Sequence, residues 1–213
     1  MKYLEPERAA KRIDHYPEVM GKLMRMLYTY LFPVVWVSFL LYWQIMAVNV
    51  KATQRLEPAA SRVARMVLFL FALLLIEYPR IPIPWLYRRV LPAVSMSFWC
   101  GAAITVAGLG FCVWARRHLG RNWSRSVTIK EDHRLIVTGP YAVVRHPIYT
   151  GLLVAFLGTA IAVAQVRGVL AFLFIFVALW SKLRLEERWM HDHFGTSYEV
   201  YSRRVAALVP YLL

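Results

Sequence analysis

The chain has 213 residues, of which 59% are hydrophobic and 15% aromatic, and it carries a formal net charge of +14. Long uncharged apolar runs beside this basicity exclude a soluble nucleic-acid-binding domain. They indicate a multi-span membrane protein whose Lys and Arg residues lie at the lipid headgroups. We therefore expect membrane lipids, and no nucleic acid, among its partners.

The N-terminal segment, residues 1–26, is polar, mixed in charge and interrupted by Pro6 and Pro17. A secretory signal would place its apolar region much closer to Met1. The composition therefore predicts an interfacial or loosely structured arm that precedes the membrane region.

Apolar runs suited to membrane helices follow this arm, and one or two of them are short for a full span. They cover residues 27–48, 66–78, 93–115, 148–166 and 169–181. The helical pattern of the last run continues through KLRLEERWMHDHF to Gly195, so one helix is expected to extend beyond the membrane surface. Residues 196–205 then predict a short amphipathic helix. The predicted fold class is all-α, a polytopic membrane protein with about five transmembrane helices.

Loop charges predict the orientation of these helices. With five spans, residues 49–65, 116–147 and 182–213 lie on one side and hold 16 Lys and Arg residues, against 10 on the other side. The richer side is expected to be cytoplasmic, which in a bacterium means the inner face of the inner membrane. The same arrangement brings residues 133–151 and the polar end of the last long helix together.

The stretch HRLIVTGPYAVVRHPIYTG, residues 133–151, gathers turn formers, aromatics and cationic groups between two apolar runs. Gly139 and Pro140 predict a turn. Arg145 and His146 stand directly before Pro147, which suits the first turn of the following helix. Because a helix N-terminus has unpaired N–H groups, this place can bind a carboxylate or phosphate. A loop that only anchors lipid headgroups is the alternative.

The sequence GPYAVVRHPIYTG, followed by an apolar hairpin, the pair Glu186-Glu187 and FGTSYEVYSRRV, resembles the isoprenylcysteine carboxyl methyltransferase family of integral membrane enzymes. The segment LGRNWS is similar to bacterial members of that family. The resemblance covers about the C-terminal half. The apolar runs give three spans in residues 27–115. The resemblance implies that residues 116–213, with two spans and the amphipathic helix, are the catalytic region and form a cytoplasmic cofactor pocket.

The activity that this resemblance implies is methyl transfer from S-adenosyl-L-methionine to a carboxylate or hydroxyl oxygen. The acceptor would be a lipophilic molecule, such as an isoprenylcysteine-like or phenolic lipid, or a lipidated substrate. No metal is expected. The residues that correspond to the family's cofactor site are His133, Arg134, Leu135, Ile136, Tyr141, His146, Pro147, Ile148, Tyr149, Glu186 and Glu187.

The acceptor side departs from the family pattern. Family members carry an Arg four residues before the first glutamate, where it is proposed to hold the substrate carboxylate, and this chain has Lys182 instead. Lys supplies a positive charge without a planar, two-pronged donor. Lys182, Arg184 and Arg145 are therefore the candidate catalytic residues. For a phenolic acceptor, Glu187 or His118 would be the candidate base.

Two other functions remain open from the sequence. Membrane reductases of the sterol type share an Arg-His-x-x-Tyr-x-Gly run and use NADPH, whose extra phosphate would need a basic cluster. Candidates for such a cluster are Arg116, Arg117, Arg121 and Arg125. A non-catalytic membrane scaffold would bind no nucleotide-like ligand.

Overall fold

The computed structural model describes residues 6–46, 53–78, 81–92, 95–120, 128–130 and 135–210. The chain divides into two compact units, residues 1–42 and residues 43–213. Helix α1, Pro6–Ile45, begins in the first unit and ends in the second. The other described helices and strands belong to the second unit, which also contains the candidate site.

Helix α1 is 40 residues long and continuous. Residues 6–26 are therefore helical and not loosely structured, and their interfacial location stays a prediction. Pro6 occupies the first position of the helix, where its missing N–H costs nothing. Ala, Lys, Arg, Glu and Met, all strong helix formers, are frequent in the residues that follow. The apolar part of this helix is Thr29–Ile45.

The remaining helices follow the predicted apolar runs closely. They are α2, Ala59–Glu77; α3, Ser95–Leu119; α4, Pro147–Val163; α5, Val166–Phe194; and α6, Thr196–Arg204, with 3-10 turns at Pro84–Tyr87 and Gly139–Ala142. Helix α5 ends where Gly195 takes a positive φ of 51°, so the predicted extension beyond the apolar run is confirmed. The amphipathic helix after it is confirmed as α6.

Three of the described helices, α2, α3 and α5, are long and apolar enough to cross a membrane. The apolar part of α1 and the whole of α4 are shorter, each 17 residues or fewer. At a rise of 1.5 Å per residue, α4 is about 25 Å long, slightly less than the hydrocarbon core. The all-helical membrane fold is confirmed, while the number of five spans stays a prediction.

Two short strands were not predicted. Strand β1, Thr53–Leu56, pairs antiparallel with β2, Thr128–Lys130, with Leu56 opposite Thr128. Runs of three or four residues are too short to give a recognisable alternation, which explains why the sequence did not indicate them. The pairing joins the connection before α2 to the connection after α3.

Helices α3 and α4 pack closely because small residues face each other. A Cβ added at Gly108 would lie 2.5 Å from the backbone nitrogen of Ala155 and 2.6 Å from the carbonyl oxygen of Gly151. Buried Thr105 donates its hydroxyl to the carbonyl of Ala155 at 3.1 Å and lies 3.3 Å from the hydroxyl of Thr159. This contact fixes the position of the α4 N-terminus relative to α3.

Helices α2 and α5 pack antiparallel. Near the start of α5, Arg167 donates to the carbonyls of Leu75 and Ile76 at the end of α2, at 3.3 and 3.1 Å. Farther along, the rings of Phe71 and Phe174 lie 6.2 Å apart. The N-terminal half of α2 therefore runs beside the C-terminal, polar half of α5.

Candidate functional site

The predicted Gly-Pro turn is confirmed. Gly139 has a φ of 61°, and a Cβ there would lie 2.7 Å from the imidazole ring of His118. Glycine is required by this backbone conformation, and the His118 ring adds a second constraint. The His118 Nε2 lies 2.9 Å from the hydroxyl of Thr138, and its ring stacks on Tyr141 at a centroid distance of 6.4 Å. The turn thereby directs Tyr141 into the protein, where it is buried.

The Arg-His-Pro segment is held by the C-terminal residues of the chain. Pro147 begins α4 as predicted, and His146 precedes it as the N-cap residue. The backbone N–H groups of Arg145 and His146 donate to the carbonyls of Ala206 and Ala207 at 2.8 and 3.0 Å. Residues after α6 therefore fix the loop before α4, a contact between residues that are 61 positions apart.

Arg145 is anchored at several points. Its Nε and Nη2 donate to the two carboxylate oxygens of Glu187 at 3.0 and 2.8 Å, and its Nη1 donates to the carbonyls of Ser202, at 2.9 Å, and Val205. Burial acts to lower the pKa of Arg145, but hydrogen bonding to Glu187 outweighs burial and raises the pKa above its usual value. The guanidinium joins the loop before α4, helix α5 and the end of α6.

His146 lies between the two glutamates. Its Nε2 is 2.6 Å from Oε1 of Glu187, and its Nδ1 is 3.4 Å from Oε2 of Glu186. Burial acts to lower the pKa of His146, but its hydrogen bonds to Glu186 and Glu187 outweigh burial and raise the pKa above 6.5. A positively charged imidazolium can donate from both nitrogens at once, so one histidine orients both carboxylates.

Glu187 also accepts a hydrogen bond from the phenol of Tyr198 at 2.6 Å. Burial, together with the negative charge of Glu187, raises the pKa of Tyr198 well above its usual value. Arg145, His146 and Tyr198 thus all donate to this one carboxylate. Such a carboxylate is a poor proton acceptor, which argues against Glu187 as a base for a phenolic acceptor.

Glu186 has a different environment. Its contact with His146 is the longer one, and its charge interacts with Lys182, one turn earlier on α5. The Lys182 ammonium lies 5.4 Å from the ring centroid of Tyr149, and that ring lies parallel to His146 at 5.3 Å. Glu186, Lys182 and Tyr149 therefore form one group of neighbouring side chains beside the N-terminus of α4.

The structure brings together most of the described candidate residues. Tyr141, His146, Tyr149, Lys182, Glu186, Glu187 and Arg145 lie around the start of α4 and the polar half of α5, where Pro147 is fully buried. Leu135, Ile136 and Ile148 are half-buried. Arg184 is exposed and lies on the opposite side of α5 from Lys182, so it is not part of this group. His133 and Arg134 lie outside the described residues.

Two groups around the site were not predicted from the sequence. Tyr198 belongs to the quoted FGTSYEVY segment, but its contact with Glu187 depends on the turn at Gly195. Arg65 and Glu57 form a buried ion pair at the start of α2. Arg65 directly precedes the predicted apolar run 66–78, so the sequence pattern placed it in a loop and gave no signal for this pair.

Comparisons with known proteins agree with this geometry. Residues 96–197 match the phospholipid methyltransferase family. Protein-S-isoprenylcysteine O-methyltransferase B of Arabidopsis thaliana is 30% identical over 99 residues, which are 44% of this chain and 49% of that protein. Methanethiol S-methyltransferase 1 of Bradyrhizobium diazoefficiens is 41% identical over 73 residues, 33% of this chain and 24% of that protein.

Among solved structures, the eukaryotic intramembrane Ras methyltransferase ICMT has the same fold, with a TM-score of 0.50 at 22% identity. The superposition covers 72% of this chain and 52% of that one. The chain spans about half the length of the first curated relatives that it matches. Residues 96–197 of this chain are therefore similar to the phospholipid methyltransferase family, and the expected resemblance to isoprenylcysteine carboxyl methyltransferases is confirmed.

Proposed function

We propose that this protein is an S-adenosyl-L-methionine-dependent membrane methyltransferase that acts on an oxygen, preferably a carboxylate, of a lipophilic acceptor. The observation that carries the proposal is the ion pair of His146 with Glu186 at the start of α4. Both residues lie in the segment that matches the methyltransferase family, residues 96–197. A lipid-like acceptor is supported by the name of the Arabidopsis relative and by the helices α2, α3 and α5.

The residues present fit this cofactor. Glu186 offers a carboxylate that can accept from an ammonium group or from ribose hydroxyls, while His146 and the first N–H groups of α4 can donate to a carboxylate. Tyr141 and Tyr149 offer buried aromatic surface for the adenine ring. When bound, the cofactor supplies a methyl group on a positively charged sulfur.

The chain contributes orientation and exclusion of water. A carboxylate acceptor is ionised at neutral pH and needs no general base. The two candidate bases for a phenol are both engaged, Glu187 with three donors and His118 with Thr138. A carboxylate acceptor is therefore favoured, and the protein's task is to align the two reactants in an apolar site.

Equilibrium binding to the detergent-purified protein tests the proposal. S-adenosylmethionine should bind to the natural chain, and Glu186→Gln should weaken binding at least tenfold, since one charge-assisted hydrogen bond contributes about 1.5–3 kcal/mol. Glu199→Gln, on the exposed side of α6, is the matched control and should bind normally. Binding of NADPH in place of S-adenosylmethionine, or of neither ligand, would refute the proposal.

We also propose that the site faces the cytoplasm across a bacterial inner membrane. The excess of Lys and Arg in the loops on that side supports this orientation, and the LGRNWS segment supports the bacterial assignment. In a variant with both natural cysteines replaced, a single cysteine at Arg204 should react with a membrane-impermeant maleimide in inverted vesicles only. Reaction in intact cells would show that the site faces the opposite side of the membrane.

A further inference from the structure

A buried ion pair lies on α2, outside the segment that matches the methyltransferase family. The Nη2 of Arg65 donates to Oε2 of Glu57, and the side chains are 10% and 2% exposed. Removing two charges from water is costly, so such a pair inside an apolar helical region calls for a function beyond stability. Arg65 lies six residues into α2, about 9 Å from its first residue.

The packing of α2 against α5 places this pair beside the site. Phe71 of α2 lies against Phe174 of α5, and the two helices run antiparallel. Arg65 lies six residues before Phe71, and in an antiparallel pair this level corresponds to Trp180, six residues after Phe174. Trp180 is about 3 Å along the helix axis from Lys182. Arg65, Ala72 and Leu75 form the buried face of α2, so the guanidinium points into the protein.

Electrostatic interactions agree with this register. The charges of Arg65 and Glu57 both act on Lys182, and the charge of Arg65 also acts on Tyr149. Lys182 and Tyr149 lie next to Glu186. Arg65 therefore lies close to this group of site residues.

The guanidinium has donors available for a ligand. Glu57 is the hydrogen-bond partner that the described residues provide for Arg65, and a guanidinium has five N–H donors. Glu57 holds the guanidinium at Nη2, and its other N–H groups can bind the two oxygens of a carboxylate. Arg65 also keeps its charge when buried, whereas a buried lysine readily loses its proton.

We propose that Arg65, oriented by Glu57, binds the acceptor's carboxylate and selects anionic acceptors for this site. This inference rests on the proposed methyl transfer and names the residue that recognises its substrate. It supplies from α2 the planar, two-pronged cation that Lys182 cannot supply from α5. Lys182 adds positive charge beside it, between the ring of Tyr149 and Glu186.

The test compares two probes that differ in charge alone, N-acetyl-S-prenylcysteine and its primary amide. Their equilibrium binding is measured on the detergent-purified protein in the presence of S-adenosylhomocysteine. The natural chain should prefer the carboxylate at least about tenfold, the usual value of one charge-assisted hydrogen bond. The double variant Glu57→Gln/Arg65→Gln should bind both probes alike, and it keeps a hydrogen-bonding pair so that no lone charge is buried.

Two controls make the result specific. Arg62→Gln, exposed on the same helix, should keep the preference for the carboxylate. Arg65→Lys should fold yet lose most of the preference, because a lysine lacks the planar donor and readily loses its proton when buried. An unchanged preference in the Glu57→Gln/Arg65→Gln protein, or no preference in the natural chain, would overturn the inference. Binding of S-adenosylmethionine by each variant is measured separately, so failure of the proposed function is distinguished from failure of this role.

Discussion

Arg145 and Glu187 are joined by two parallel hydrogen bonds, at 3.0 and 2.8 Å, across 42 residues of sequence. The pair ties the loop that begins α4 to the polar half of α5. The same glutamate binds His146 and Tyr198, and the same arginine binds carbonyls at the end of α6. The preceding residue on α5, Glu186, has the longer of the two contacts with His146, at 3.4 Å, and it is the carboxylate best placed for a ligand.

Replacing Arg145 with Ala should unfold the site. Breaking a partly buried ion pair leaves the Glu187 carboxylate without its main partner, and such changes cost about 3–5 kcal/mol. Thermal unfolding in detergent should show a clear fall in Tm. Arg203→Ala removes a solvent-exposed pair with Glu199 and should leave Tm unchanged. Equal effects of the two changes would contradict the anchoring role.

The charge of His146 should make stability depend on pH. Its pKa is raised above 6.5 by Glu186 and Glu187, with Arg145 nearby as an opposing charge, so its contribution is complete below pH 6.5 and is lost as pH rises through the folded-state pKa. From about pH 6 to about pH 9, the Tm advantage of the natural chain over His146→Gln should shrink. A Tm difference that stays constant over this range would exclude an imidazolium at this position.

The close contact of α3 and α4 can be tested with two glycines on one helix. Gly108→Ala would place a Cβ 2.5 Å from backbone atoms of α4, and overpacking of this kind costs about 1–3 kcal/mol. Gly110→Ala has open space within 4 Å and should be neutral or gain up to about 1 kcal/mol from helix propensity. Unfolding in detergent measures both, and an equal response would refute the packing assignment.

Tyr198→Phe should weaken the site without removing a charge. Glu187 would lose one of its donors, and a hydrogen bond to a charged group contributes about 1.5–3 kcal/mol. A lower Tm is expected, with a smaller loss of S-adenosylmethionine binding than Glu186→Gln causes. Tyr78→Phe, at an exposed position after α2, is the control and should change neither measurement. If the Tyr198→Phe protein is as stable as the control, the Tyr198 hydroxyl does not stabilise the site.

Local patterns in the sequence were enough to predict most of the helices. Apolar runs and punctuation by Pro147 and Gly195 predicted α4, the long α5 and its short successor, because these signals act within a few residues. The motif around Arg145 and His146 indicated the methyltransferase family. The continuous helix through residues 6–26 and the two short strands were missed, since a mixed polar segment and a four-residue strand carry little periodic signal.

The partners of the site residues depended on tertiary structure. Glu186 and Glu187 are adjacent in sequence, but a turn of about 100° per residue along α5 gives them different neighbours. Glu187 meets Arg145 and Tyr198, whereas Glu186 meets Lys182 and Tyr149, and His146 lies between the two. The place of Arg65 beside Lys182 follows from the antiparallel packing of α2 on α5. Contacts between residues separated by tens of positions arise from how helix surfaces fit together, and a linear pattern does not encode that fit.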